Sequence, residues 1–169
     1  MRTSRITALV AVFLVALGAG WWFTHRPGLH VGDAIDMYYP KTDGTTMVPW
    51  RLSLSPTAND RKSAALYAAV SAVAGPPPSV AAIRFPVGTH VVPPVDVDGK
   101  TVIVNLSPEV AASAEGGFAE SAEFKALVWT MTQPALGFTS VRVHVNGVSV
   151  ATLPGGHLEL DEPLARSSF

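Results

Sequence analysis

The chain has 169 residues, a formal net charge of −1 and no cysteine. Its length allows one domain of ordinary size and a short additional segment, and the lack of cysteine excludes both disulfide bonds and a lipid-anchor cysteine. Lysine and arginine form no run longer than the pair Arg61-Lys62, which argues against nucleic acid as a partner because phosphate binding needs clustered basic side chains.

The first feature along the chain is an apolar segment at residues 6–23, "ITALVAVFLVALGAGWWF", which contains no charge. As a helix it would be roughly 27 Å long, close to the hydrocarbon thickness of a bilayer. Arg2 and Arg5 precede it and Trp21 and Trp22 end it. This pattern predicts a single-pass signal-anchor in the cell membrane, with residues 1–5 cytoplasmic and the rest extracytoplasmic. The small residues at positions 16–18 leave a cleaved signal peptide as the alternative.

A linker and a hairpin are predicted next. Residues 24–34, "THRPGLHVGDA", are polar with Pro and Gly and predict a spacer, so the folded domain is expected over residues 35–166. It opens with two strands, "IDMYYP" and "TTMVPWRLSL", on either side of a turn at "KTDG". Pro49 makes the second an edge strand or a bulged strand, because proline cannot donate to a neighbouring strand.

Two helices are predicted from apolar residues at spacing i, i+3, i+4 and i+7. The first begins at about Asn59 and is ended by Gly75 and the prolines that follow it. Its expected core stripe is Leu66, Ala69, Val70 and Val73. The second helix runs from about Ala119 to Thr132. Its expected stripe is Phe124, Leu127, Val128 and Met131.

Two further hairpins complete the pattern. "THVVPPVDV" and "KTVIVNL" flank Asp98-Gly99, while "SVRVHV" and "VSVATL" flank Asn146-Gly147, and both dipeptides favour two-residue turns. The order is therefore ββα-ββα-ββ after the N-terminal transmembrane helix. It predicts an α+β domain with two helices packed on a mixed or antiparallel sheet.

A series of landmarks resembles the GerMN domain family of spore germination and sporulation proteins. They are "MYYP", "ALYAAVSAVAGPPP", "RFPVGTHVV", "VDGKTVIVNLS", "LVWTMTQ", "VRVHVNGVSVATLPGG" and "LDEPLAR", in the family's order and spacing. The resemblance covers roughly 130 residues. It implies an extracytoplasmic, membrane-tethered α+β domain without established catalysis, similar to the ring-building domains of secretion and sporulation channels. The chain departs from that pattern in carrying one copy of the domain and no lipid-anchor cysteine.

The C-terminal part is the one place where a catalytic or metal site could be sought. It holds His144 and His157 with Glu159, Asp161 and Glu162 near flexible glycines. Strand alternation places His144 on the face opposite the core valines, and "LELDEP" resembles a final exposed strand. The histidines lack the spacing of zinc ligands, and no nucleophile motif or phosphate loop is present. We therefore predict no catalytic residue, no cofactor and no metal ligand.

Exposed aromatic residues remain as candidates for a partner-binding surface: Tyr38, Tyr39 and Trp50. Trp129, beside the stripe of the second helix, is expected at the edge of the core. The leading hypothesis is a non-catalytic cell-envelope interaction or assembly module, tethered by its anchor, whose partner is an envelope protein or another copy of itself. The alternatives are a module that binds wall glycan or a small ligand and, less favoured by the residues, a wall hydrolase.

Overall fold

The computed structural model describes residues 34–54, 58, 60–112 and 116–169, all within one compact unit that spans residues 31–169. The predicted cytoplasmic segment 1–5, the anchor 6–23 and all of the linker except its last residue lie outside the described residues, so they stay predictions. In the part of the chain that is described, no helix is long and apolar enough to cross a membrane.

The first predicted hairpin is confirmed, with strand β1 (Ala34–Pro40) antiparallel to β2 (Met47–Ser53). Tyr38 pairs with Pro49, and the Tyr38 N–H donates to the Thr130 hydroxyl at 2.9 Å, away from β2. In an antiparallel pair, the N–H and C=O groups of two opposite residues either both point towards the neighbouring strand or both point away from it. The nitrogen of Pro49 therefore faces the free edge, where a missing donor costs no strand hydrogen bond, and the edge-strand prediction is confirmed.

Helix α1 (Arg61–Ala74) begins at an Asp60 cap, whose carboxylate accepts the N–H groups of Lys62 and Ser63. The predicted core stripe is wrong in part, because Leu66 is only half-buried and Val70 is exposed. The buried face consists mainly of alanine: Ala64, Ala65, Ala68, Ala69, Ala72 and Val73. Small side chains let the helix approach its neighbours closely, so burial here follows backbone proximity rather than side-chain size.

The remaining strands form a mixed four-stranded sheet. Strands β3 (Asp96–Asp98), β4 (Thr101–Leu106), β5 (Ser140–Val145) and β6 (Val148–Ser149) lie in that order. Strands β4 and β5 are parallel, joined by helix α2 (Gly116–Met131) after a 3-10 segment (Pro108–Ala112), and the outer pairs are antiparallel. The predicted α+β order is thus confirmed, but the strands fall into two sheets rather than one.

Side-chain hydrogen bonds explain why the β1–β2 hairpin stays separate from that sheet. The edge of β1 opposite β2 is occupied by Gln133, whose side chain accepts the Asp36 N–H at 3.0 Å and donates to the Asp36 carbonyl at 2.9 Å. Thr130 satisfies the next outward N–H, at Tyr38. The end of α2 therefore takes the place of a strand neighbour.

The core lies between the helices, β1 and the central strands. The predicted stripe of α2 is confirmed, since all four members are fully buried: Phe124, Leu127, Val128 and Met131. The predicted inward residues of β4 are fully buried too: Val102, Val104 and Leu106. The expected last strand, "LELDEP", is instead irregular chain, held by the Leu160 N–H to the Ala151 carbonyl at 2.7 Å.

Candidate interaction surfaces

The register of the first hairpin separates the three aromatic residues predicted to form one patch. Trp50 lies opposite Met37, on the face of the hairpin that is turned to the core, and Tyr39 shares that face. Tyr38 lies opposite Pro49 on the outer face. The structure therefore brings Tyr39 and Trp50 together and places Tyr38 elsewhere.

Tyr39 and Trp50 form a tilted aromatic pair at the rim of the core. Their ring centroids are 6.5 Å apart and their planes are 58° apart. Tyr39 is half-buried, whereas Trp50 is 36% exposed, since among the described residues no further strand pairs with the β2 edge. This pair offers a partly exposed apolar surface of two rings.

Tyr38 belongs to a second group of residues on the outer side of β1 and α2. The Arg166 guanidinium lies 5.9 Å from the Tyr38 ring centroid and 5.3 Å from that of Trp129. The Lys125 ammonium also lies 5.3 Å from the Trp129 centroid, and Phe169 meets Trp129 edge-on at 6.1 Å. Trp129 is half-buried, as predicted for the core edge. We call these five residues the Tyr38 face.

An open cleft of about 730 Å³ lies between the first hairpin, the segment 82–87 and the start of α2. Phe118 and Val87 line it and are 59% and 101% exposed, while Phe85 at its wall is buried. The Phe118 ring lies directly over Gly44, a glycine with φ of 66°, so any larger residue there would meet both strain and the ring. We call this the Phe118 cleft.

Sequence reasoning missed the cleft, although one signal pointed to it. At 100° per residue, Phe118 lies about 120° around α2 from Phe124, outside the core stripe. A large apolar residue off the stripe of a helix has to be covered by another element or left exposed. Here the turn of the first hairpin covers one side of the ring and the other side remains open.

Two glutamates of α2, also missed, are buried. Glu120 is 2% exposed; its Oε2 accepts the His157 N–H at 2.9 Å, while Oε1 has no hydrogen-bond partner in the described part of the chain. Gly156 packs against that carboxylate so closely that a Cβ would collide with it. Glu123, one turn further on, is 4% exposed and lines the Phe118 cleft. The sequence contained a signal for the burial of Glu120, because this residue lies on the same face of α2 as Leu127 and Met131.

The histidines and acids of the C-terminal part do not converge on a common point. His157 contributes its backbone N–H to Glu120, and His144 lies on β5 opposite Ser149. Glu159, Asp161 and Glu162 are exposed. Across the described ranges, no group of three or more histidine, aspartate or glutamate side chains could hold a metal ion.

Three acids have lowered pKa values, each for a local structural reason. The backbone N–H and hydroxyl of Thr46, then the backbone of Thr45, lower the pKa of Asp43 from 3.8 to about 2. Backbone and hydroxyl donors of Ser63 lower the pKa of Asp60, and the Ser107 hydroxyl lowers that of Glu109. A turn, a helix cap and a 3-10 segment are stabilised in this way. All three carboxylates are held in the ionised form, which suits them to accept structural hydrogen bonds rather than to donate a proton.

Comparison with known proteins identifies the family. The sequence matches the model of the Germane family, described as "Sporulation and spore germination", over residues 36–151. No curated protein matches the chain.

Two solved structures from Bacillus subtilis share the fold. The tandem GerMN domains of the sporulation protein GerM match with a TM-score of 0.60 and 21% identity, over 80% of this chain and 46% of that one. The first GerMN domain of GerM matches with a TM-score of 0.57 and 23% identity, over 79% of this chain and 98% of that one. This chain thus spans about half the length of the tandem structure and nearly all of the single domain. It belongs to the Germane family, and its described residues form a GerMN-like domain.

Proposed function

We propose that the chain is a membrane-anchored, non-catalytic envelope domain that docks a partner protein, or another copy of itself, outside the membrane through the Phe118 cleft. The observation that carries this proposal is the exposure of Phe118 and Val87 on a single open cleft. Burial of such a side chain contributes about 1.5–3 kcal/mol, so two neighbouring ones are suited to anchor a partner.

A binding role also agrees with the chemistry of the described residues. The carboxylates with lowered pKa serve turns and caps, and no group of three or more histidine, aspartate or glutamate side chains in the described ranges could hold a metal ion. The cleft itself is lined mainly by apolar side chains and by the segment 82–87. A docking surface requires only such apolar side chains and no catalytic group.

The proposed anchor supplies the second part of the mechanism. A transmembrane helix at residues 6–23 would confine the domain to one surface and raise its effective concentration for a partner in the same membrane. A cleft of modest affinity would then be sufficient, because association becomes nearly intramolecular.

Site-specific photo-crosslinking in cells tests the cleft. A photoreactive residue is placed at position 118 or 87 of the tagged, full-length protein, and in a control at Val70, which is also apolar and 46% exposed but lies on α1 outside the cleft. We expect a discrete adduct, with an envelope protein or with a second copy, from positions 118 and 87 and not from position 70. Equal yields at all three positions, or none under conditions that trap a known envelope complex, would contradict the proposal.

Tethering is tested with the same adduct. Residues 1–23 are replaced by a cleaved secretory leader, so that the domain is exported but released from the membrane. We expect the crosslink yield from position 118 to fall at least tenfold at equal protein level. An unchanged yield would show that the membrane does not assist docking.

Exposure of Trp50 favours one second candidate, a wall-glycan binding module. Aromatic rings stack on the apolar faces of sugars, and the Tyr39–Trp50 pair presents such a ring at the β2 edge. Titration of intrinsic fluorescence with soluble wall fragments should shift the emission of the wild type and not of Trp50→Ala. Absence of a shift at millimolar fragment would dismiss this candidate.

A further inference from the structure

We propose that the Tyr38 face binds an acidic segment of the partner protein, one that presents two neighbouring carboxylates. This inference rests on the proposed docking function, because it names the chemistry of the partner. The relevant cations are Lys125 and Arg166, which both lie 5.3 Å from the Trp129 ring centroid. They are therefore separated by no more than about twice that distance.

Neither cation is neutralised by a paired carboxylate within the described residues. The ion pairs formed there are Arg51 with Asp36 at 3.3 Å and Lys62 with Asp96 at 2.9 Å. Asp36, the acid on the outer face of the hairpin, is thus already paired with Arg51. The five residues of the Tyr38 face thus include two cationic side chains and no acidic one.

The Arg166 guanidinium is held in place before any partner arrives. Its Nε donates to the Thr132 hydroxyl at 3.0 Å, and one Nη2 hydrogen is directed to the Trp129 carbonyl at 3.1 Å, in the last turn of α2. Arginine has five N–H donors, so three remain for a ligand. A guanidinium fixed in this way pairs with a carboxylate at a lower entropic cost than a free side chain does.

The aromatic rings and the number of cations indicate which class of partner fits the Tyr38 face. Tyr38, Trp129 and Phe169 are half-buried rather than projecting, so they provide apolar surface beside the two cations but no wedge for insertion into lipid. Two cations are too few to track a polyphosphate backbone. Carboxylates three or four residues apart on a helix, or two apart on a strand, start from Cβ atoms roughly 5–7 Å apart and have flexible stems, so a pair of them can reach two cations separated by up to about 10 Å.

Binding of a model acidic peptide tests the inference. The full-length protein, in nanodiscs of zwitterionic lipid, is titrated with fluorescent hexaglutamate and with hexaglutamine. We expect hexaglutamate to bind and hexaglutamine to bind at least tenfold more weakly. Lys125→Glu should weaken hexaglutamate binding at least tenfold, whereas Lys62→Glu, at an exposed lysine outside the Tyr38 face, should change it less than twofold.

The following outcomes would overturn this inference and leave the proposed docking through the Phe118 cleft unaffected. Equal binding of both peptides, or equal effects of the two lysine variants, would show that the face does not recognise carboxylates. Binding to phosphatidylglycerol vesicles without binding to hexaglutamate would assign the face to lipid headgroups. Lys125→Gln serves as a second variant should charge reversal disturb α2, and it should weaken hexaglutamate binding in the same direction. If docking itself is wrong, the adduct from position 118 is missing; if only this inference is wrong, that adduct persists in Lys125→Glu.

Discussion

Gln133 joins two parts of the chain that are 97 positions apart. It is 5% exposed, and its amide accepts one hydrogen bond from Asp36 and donates one to it, as an adjacent strand would. The side-chain nitrogen also bonds to the Thr130 carbonyl at the end of α2. One side chain thus occupies the edge of β1 opposite β2 and fixes it to the end of α2.

Truncation of this side chain should therefore be costly. Gln133→Ala leaves the Asp36 N–H and carbonyl without their partner, and an unsatisfied buried polar group costs about 1–3 kcal/mol. We expect urea unfolding to show a loss of about 2–3 kcal/mol in the free energy of unfolding. Pro134→Ala, at the exposed neighbouring position, should lower it by less than about 1 kcal/mol, the entropic effect of losing a proline. A loss of similar size in both variants would argue against this role of the amide.

Asp43 gives the first hairpin a pH dependence. Its folded-state pKa is lowered to about 2, so its contribution to stability is present above the ordinary value of 3.8 and is lost as the pH falls through about 2. The difference in thermal midpoint between the wild type and Asp43→Asn should therefore be largest at neutral pH and close towards pH 2. A difference independent of pH would assign the effect of the substitution to something other than the carboxylate charge.

The two helices differ in how closely they follow the apolar pattern of the sequence. In α2 the large side chains are the buried ones, so periodicity predicts the buried face directly. In α1 the buried face is lined with alanine, which hydropathy ranks below Leu66 and Val70, and the pattern therefore misplaced the face by part of a turn. Which face of an alanine-rich helix is buried depends on what packs against it, and single-sequence periodicity cannot report that.

Substitutions on opposite faces of α1 distinguish these two descriptions. Ala68 is fully buried, so Ala68→Leu should overpack the core and lower the free energy of unfolding by about 1–3 kcal/mol. Val70→Ser, on the exposed face, should change it by less than about 0.5 kcal/mol. Both values are measured by urea unfolding. A larger loss in Val70→Ser than in Ala68→Leu would support the stripe predicted from the sequence.

The turns were predictable from dipeptides because their backbone requirement is local. Asn146 and Gly147 have φ values of 51° and 80°, the positive values that such a two-residue turn needs. The other hairpin was misplaced by one residue: Asp98 pairs with Thr101, so Gly99 and Lys100 form the loop. Register depends on the whole pair of strands, which a dipeptide does not determine.

The interaction surfaces were predictable only in part. Alternation along a strand already separates Tyr38 from Tyr39, so the sequence contained the reason why these residues could not share one surface with Trp50. The partners of Tyr38 are distant in sequence: Lys125 and Trp129 on α2, and Arg166 near the C-terminus. No local pattern reports such convergence.

At the scale of the whole molecule, the two sheets share one core. Ile35 and Met37 of the hairpin belong to the same buried cluster as Val104 of β4 and Val143 of β5, and Leu127 of α2 is part of it too. Elements that bury a common set of side chains lose their stability together.

We therefore expect the domain to unfold in a single transition, in spite of its two sheets. In a variant with Trp21 and Trp22 replaced by phenylalanine, tryptophan fluorescence reports on the hairpin and α2 through Trp50 and Trp129, and far-ultraviolet circular dichroism reports on all elements. The midpoints from the two probes should coincide in urea. Separate midpoints would mean that the hairpin is an independently stable unit.

The hydrogen bonds between Asp36 and Gln133, near the start of β1, also determine how the domain would respond to mechanical load. A pull on the segment before residue 34 is transmitted to β1, which is held by its pairing with β2 from Ala34 onwards and by the hydrogen bonds between Asp36 and Gln133. These bonds lead directly into α2 and the buried core, so tension would be carried by the interior rather than by the outer strand alone. This arrangement resists extraction of the domain from its N-terminal end, which is where the proposed membrane anchor would apply force.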